Sequence, residues 1–129
     1  MSGSAQKHLD KAVRLLSQAD GIDAANAPES LVHLSYYAMF HAATAVLIQN
    51  RDETTKTHVG LIGSFGRLVK DRGDSARRHG RALNRAEDLR LQADYGVSHA
   101  DLIDAARDVS KDARAFVGFC SKWLNEQSY

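Results

Sequence analysis

Residues Ser30 to Asn50 read SLVHLSYYAMFHAATAVLIQN, and the fold turns on how that stretch is covered. Set on a helix at about 100° per residue, Leu31, Leu34, Tyr37, Met39, Phe40, Val46, Leu47 and Ile48 point in all directions. A helix of that kind has no solvent face, so its neighbours or a second copy of the chain must surround it. His33, Ser35, His41 and Thr44 make it too polar for a membrane span. Pro28 in the first turn marks where it starts, with Glu29 beside it to complement the positive end of the helix dipole.

Outward from this stretch the chain reads as helix throughout. Ala5 to Asp20 carries Leu9, Ala12, Val13 and Leu16 at the spacing of one apolar face, with Met1 to Ser4 expected to be a disordered start and Ser4 a cap. RDETTK, Arg51 to Lys56, is polar and unpatterned and reads as a loop, after which Thr57 can cap a helix running to about Arg72. That helix contains Gly60, Gly63 and Gly66, each costing about 1 kcal/mol against alanine. Spaced by three, they line one flank where another backbone or a ligand can come close, and close helix packing is the favoured explanation. Arg72 to Gly80 reads as the next break, with helix able to resume as early as Ser75; a fourth helix then runs to the stop at Gly96, and a fifth from His99 to Gln127 carries Leu102, Val109, Phe116, Val117 and Leu124 inward. The expected fold is all-α: an up-and-down four-helix bundle with one additional helix.

The 129 residues suit one domain, placed at 5–127. With 43% apolar and 26% charged residues and a formal charge of +1, net charge selects no partner, so electrostatic arguments must be local. The single cysteine, Cys120, excludes an internal disulfide framework. Neither a leader nor a run of eighteen apolar residues is seen, which gives the expectation of a cytoplasmic protein without a membrane partner.

The chemistry concentrates on the fourth helix. Its apolar stripe of Ala82, Leu83, Ala86, Leu89 and Ala93 is centred roughly 50° from Arg90, so this arginine points inward. Glu87 and Asp94 stand beside it at i−3 and i+4. Two explanations are open: a structural clamp of one arginine by two carboxylates, or a phosphate site in which Arg90 is the bidentate partner beside Asp94 and Tyr95. His41 shares a face of the central helix with Tyr37 and His33, either as a core histidine or facing substrate. His33 and His41 lie roughly 12 Å apart along the axis, too far to share a zinc. His58, with Lys56 and Thr57, stands where free helix amides can bind an anion or be capped. Between Arg67 and Arg90 cations outnumber carboxylates, suiting either a phosphate backbone or a solvated face.

YYAMFHAA at Tyr36 to Ala43, KTHVGLI at Lys56 to Ile62, and ADYG at Ala93 to Gly96 preceded by LNRAEDLR resemble, in this order, an uncharacterised branch of the HEPN domains. The resemblance covers about Ala5 to Phe119 and implies a helical bundle that pairs as a homodimer. It also implies binding of RNA or a nucleotide near the dimer interface, and for many members RNase activity as a toxin beside a nucleotidyltransferase-type antitoxin. The catalytic pattern of such domains is an arginine followed after four to six residues by a histidine; here those slots hold Tyr95, Gly96 and Val97. An RNase built on this chain therefore needs its acid and base from elsewhere. The candidate catalytic residues are Arg90, Asp94, Tyr95 and His41; Lys56, His58 and Tyr37 are candidates for substrate binding, with no metal or cofactor expected. The rival expectation is a non-catalytic dimeric interaction module in which Arg90, Asp94 and Tyr95 form a structural polar network.

Overall fold

A computed structural model describes residues 3–50, 57–96 and 98–126. Among these residues it forms five helices: α1 (Gly3–Asp20), α2 (Pro28–Gln49), α3 (His58–Val69), α4 (Asp74–Tyr95) and α5 (His99–Glu126). No strand occurs among the described residues. Local chemistry explains most of the ends. Pro28 opens α2 with Glu29 in its first turn, and the Thr57 hydroxyl caps α3 by accepting from the Gly60 N–H at 3.0 Å. Gly96 closes α4 in the left-handed conformation at φ 114°, where its N–H reaches the Gln92 carbonyl. Two boundaries differ from the sequence expectation. Helix α1 already runs at Gly3, so Gly3 and Ser4 are helical and Ser4 is no cap; α3 ends at Val69, short of Arg72. The RDETTK segment, Lys56 included, lies outside the described residues.

Cross-helix contacts give the directions. His8 meets His41, His33 meets Asp94, and His79 stacks on Phe119 while Arg85 faces Asp112, so α1 is antiparallel to α2, α2 to α4, and α4 to α5. His99 reaches Ala25 and Glu29 at the start of α2, so α5 is parallel to α2. These four helices form the expected up-and-down bundle. Helix α3 is the additional one: its start at His58 touches Tyr36 while its later turns pass Gly80, so it runs with α2 and against α4.

Helix α2 occupies the centre. Val32, Tyr36, Met39, Ala42, Ala43, Val46 and Leu47 are buried in it, and the α3–α5 contact of Phe65 with Phe116, ring centroids 5.1 Å apart, extends the core. By length and composition α2 alone among the described helices is apolar enough to cross a membrane, but two thirds of that window is buried inside the protein. Its apolarity is accounted for by its neighbours.

The glycines divide. A Cβ on Gly80 would meet Val69 Cγ2 at 3.0 Å, so Gly80 is what lets α3 and α4 approach. A Cβ on Gly66 would meet nothing within 4 Å, and one on Gly63 only the Arg67 guanidinium. Packing within one chain therefore does not explain those two. Gly66→Ala is expected to stabilise the fold by about 0.5–1 kcal/mol through helix propensity alone, measured by urea unfolding. A loss of stability would show that the space is needed by the fold itself.

Candidate functional site

Glu87, Arg90 and Asp94 sit at i, i+3 and i+7 on α4, on the face turned towards α2. The Arg90 guanidinium donates to Glu87 through Nη2 and to Asp94 through Nη1 at 3.3 Å, and lies 5.1 Å over the Tyr36 ring. Its side chain is 15% exposed and that of Glu87 8%, so the pair is largely desolvated. Burial acts to lower the Arg90 pKa, but the hydrogen bond to Glu87 and its charge outweigh this, and the net shift is upward. Arg90 is a fixed cation.

The cluster continues at both ends. His33 Nε2 lies 2.7 Å from Asp94 Oδ1, so Asp94 joins α2 to the arginine. On the other side Tyr36 Oη is 2.6 Å from His58 Nδ1, which is itself 3.6 Å from Glu87 Oε2. Burial, then a hydrogen bond with Glu87 and its charge, raise the Tyr36 pKa, so the group remains a phenol. In one His58 tautomer the phenol donates to Nδ1; in the other Nδ1–H donates to the phenol oxygen and frees the phenolic proton for Glu87. Phe40, centroid 4.7 Å away, and the edge of Tyr37 hold the His58 ring. The result is one chain of contacts, His33–Asp94–Arg90–Glu87–His58–Tyr36, spanning three helices. Glu87 Oε2 and Arg90 Nε are buried without a hydrogen-bond partner, so the cluster retains polar capacity.

Of the residues singled out in the sequence, Arg90, Asp94, His58 and Tyr37 meet here. Tyr95 does not join them: it is 85% exposed at the last position of α4. Lys56 lies outside the described residues. His41 is elsewhere, because eight residues of helix return about 80° past His33 and turn it towards α1, with Phe40 between it and His58. There its Nδ1 lies 3.0 Å from His8 Nδ1, with ring centroids 5.2 Å apart and planes 20° from parallel, so the rings meet edge to edge through their nitrogens. One nitrogen must donate and the other accept, so the pair holds one proton between those two atoms. Burial, Lys11 and His8 push the His41 pKa down to about 4.

Sequence reading missed the site roles of His33, Tyr36 and Phe40. The signal was present: from His33, Tyr36 lies about −60°, Phe40 about −20° and Tyr37 about +40° around the helix, one polar-aromatic face on an otherwise apolar rod. It was hidden because aromatic residues on a core helix read first as packing.

The HEPN domain family matches residues 5–123, and the chain belongs to it. Similar proteins include a "UPF0332 protein" of Archaeoglobus fulgidus, 39% identical over 71% of this chain and 72% of its own length. A Methanocaldococcus jannaschii protein that carries the name "putative toxin" is 32% identical over 71% of this chain and 67% of its own. A further UPF0332 protein, from Gloeobacter violaceus, is 38% identical over 64% and 67%.

Two outcomes follow from these geometries. Arg90→Met leaves the buried Glu87 without its arginine and is expected to cost about 3 kcal/mol or more, whereas the double variant Arg90→Met/Glu87→Met costs less than the sum of the singles by over ~1 kcal/mol in urea unfolding. Strict additivity would show that the two side chains do not act as a pair. For His41 the folded pKa lies below the ordinary 6.5, so its contribution to stability is fully present above about pH 6.5 and lost as pH falls towards about 4. His41→Leu, neutral at every pH, should show a shallower loss of melting temperature over that interval than wild type, and equal slopes would contradict the assignment.

Proposed function

We propose that this HEPN protein binds RNA at the Arg90 cluster and cleaves it without a metal, as the toxin half of a toxin–antitoxin pair. The observation that carries this reading is the unbroken chain from His33 through Arg90 to His58. It places two imidazoles from different helices on either side of one fixed cation. Cleavage of RNA needs a base to take the 2′-hydroxyl proton as that oxygen bonds to phosphorus, and an acid to protonate the departing 5′-oxygen. His33 uses Nε2 towards Asp94 and His58 uses Nδ1 towards Tyr36, which leaves the opposite ring nitrogen of each for these proton transfers. Arg90 neutralises charge on the phosphoryl oxygens, an incoming phosphate replacing Asp94, the longer of its two carboxylate contacts. The histidine absent after Arg90 is thus supplied by α2 and α3.

The toxin assignment draws on the name of the Methanocaldococcus relative, and implies a cytoplasmic protein with a nucleotidyltransferase-type antitoxin as partner. A homodimer fits the apolar side chains left in solvent next to the cluster: Val59 on α3, and Leu91 and Tyr95 one turn apart on α4. Tyr95 then serves pairing rather than proton transfer. One observation favours a non-catalytic module instead: the Arg90 guanidinium is held by carboxylates on both sides.

The deciding experiment is cleavage of total RNA in EDTA by wild type, Arg90→Ala, His33→Gln and His58→Gln, with thermal unfolding and sedimentation of each. Wild type is expected to cleave as a dimer, and each histidine variant to lose about 100-fold or more in rate while remaining folded. If wild type cleaves nothing, the enzymatic reading falls and the dimeric interaction module stands.

A further inference from the structure

Between α3 and α4, on the side away from α2, lies a groove of about 360 Å³ whose rim carries Lys70, Arg77 and Arg81, with Asn84 further along. No carboxylate of the described residues lines it. Three other hollows on the surface each carry at least one: Glu126 between α4 and α5, Asp20 and Asp23 by the α1–α2 turn, and Asp88, Asp108 and Asp112 lower on α4 and α5. Arg77 shares its charge with Asp74, but neither Lys70 nor Arg81 has an ion-pair partner among the described residues. With Arg77 alone tied to a carboxylate, Lys70 and Arg81 leave this groove with positive potential that the described residues do not neutralise.

Its floor is bare for no internal reason. Gly63 and Gly66 line the groove, and a Cβ at Gly66 would meet nothing within 4 Å, so the missing side chains keep space open towards solvent. Because α3 and α4 are antiparallel, the groove follows both helices from the Gly66–Gly80 crossing as far as Ile62 and Asn84, about one turn short of His58 and Glu87. The eight residues from Gly66 to His58 span roughly 12 Å, within the length of a short single strand.

We infer that this groove is the path of the single-stranded RNA flanking the bond held at the Arg90 cluster, gripped through its phosphates. The inference rests on the RNA reading above and adds to it where the strand lies. Charge complementarity names the occupant, and the open floor at Gly66 leaves room for its backbone to come close to the helix. No aromatic side chain of the described residues lines the groove, so it contacts backbone and not bases, and binding is sequence-independent and steeply salt-dependent.

The test is fluorescence anisotropy with an uncleavable 2′-O-methyl oligouridylate of about twelve nucleotides, titrated between 50 and 200 mM salt. Wild type, Arg90→Ala, Gly66→Leu and the double variant Lys70→Glu/Arg81→Glu are compared, with thermal unfolding of each and polyglutamate as competitor. Gly66→Leu is expected to bind about tenfold more weakly while melting no lower than wild type, a combination that misfolding cannot produce. The charge-reversed variant is expected to lose a similar factor and to flatten the salt dependence by about two phosphate contacts. Unchanged binding in both groove variants, with Arg90→Ala weakened, would overturn the groove while leaving RNA at the cluster. No binding by wild type would overturn both. Displacement of the oligonucleotide by polyglutamate at equal charge would assign the groove to an acidic protein segment and overturn the RNA occupant.

Discussion

A central helix with no polar face imposes the arrangement of everything around it. Helix α2 buries side chains on every side, so four other helices must close over it. That requirement sets α1 and α5 against its flanks, brings α4 antiparallel to it, and leaves α3 to cover the remaining side from outside the bundle. Any polar atom on α2 must then bond within its own helix, as the Thr44 hydroxyl does to the Phe40 carbonyl, find a partner from a neighbouring helix, or stay unsatisfied, as the buried Ser35 hydroxyl does.

The polar cluster is a consequence of that constraint. Tyr36 is fully buried, yet it carries a hydroxyl; His58 of α3 and the Glu87 side of α4 converge on it. Glu87 in turn requires a cation, and Arg90, one turn later on the same helix, is the one within reach. Asp94 and His33 complete the series at the more exposed edge. A largely desolvated pair is expensive to assemble and costly to break, which fixes the geometry of the two histidines that flank it. Structure and chemistry are coupled here: the same contacts that satisfy buried groups hold two imidazoles on either side of one cation.

The two histidine environments illustrate how one helix separates roles. His33 lies at an edge, bonded to a carboxylate. His41, on the side turned to α1, is pressed against His8 with Lys11 close by, and burial drives it towards its neutral form. Both are histidines on the same rod; the neighbour decides what each ring meets. Likewise the basic run from Arg67 to Arg90 is not one surface. Arg90 faces inward between carboxylates, Arg77 is tied to Asp74, Arg85 faces Asp112, and Lys70 with Arg81 is left to a groove.

Helix number, near-correct boundaries, the centrality of α2 and the inward turn of Arg90 between Glu87 and Asp94 were all legible in the sequence, because each follows from local periodicity, capping chemistry or spacing on one helix. The family resemblance was legible for the same reason: its motifs are contiguous strings. What lay beyond the sequence was every contact between helices. The pairing of Tyr36 with His58, of His33 with Asp94 and of His8 with His41 depends on the rotation and offset of one rod against another, and an 80° turn over eight residues is enough to move His41 from one neighbour to the next. Periodicity says which face of a helix is buried; only the tertiary structure decides what that face meets, because helix packing is set by the fit of side chains from both partners.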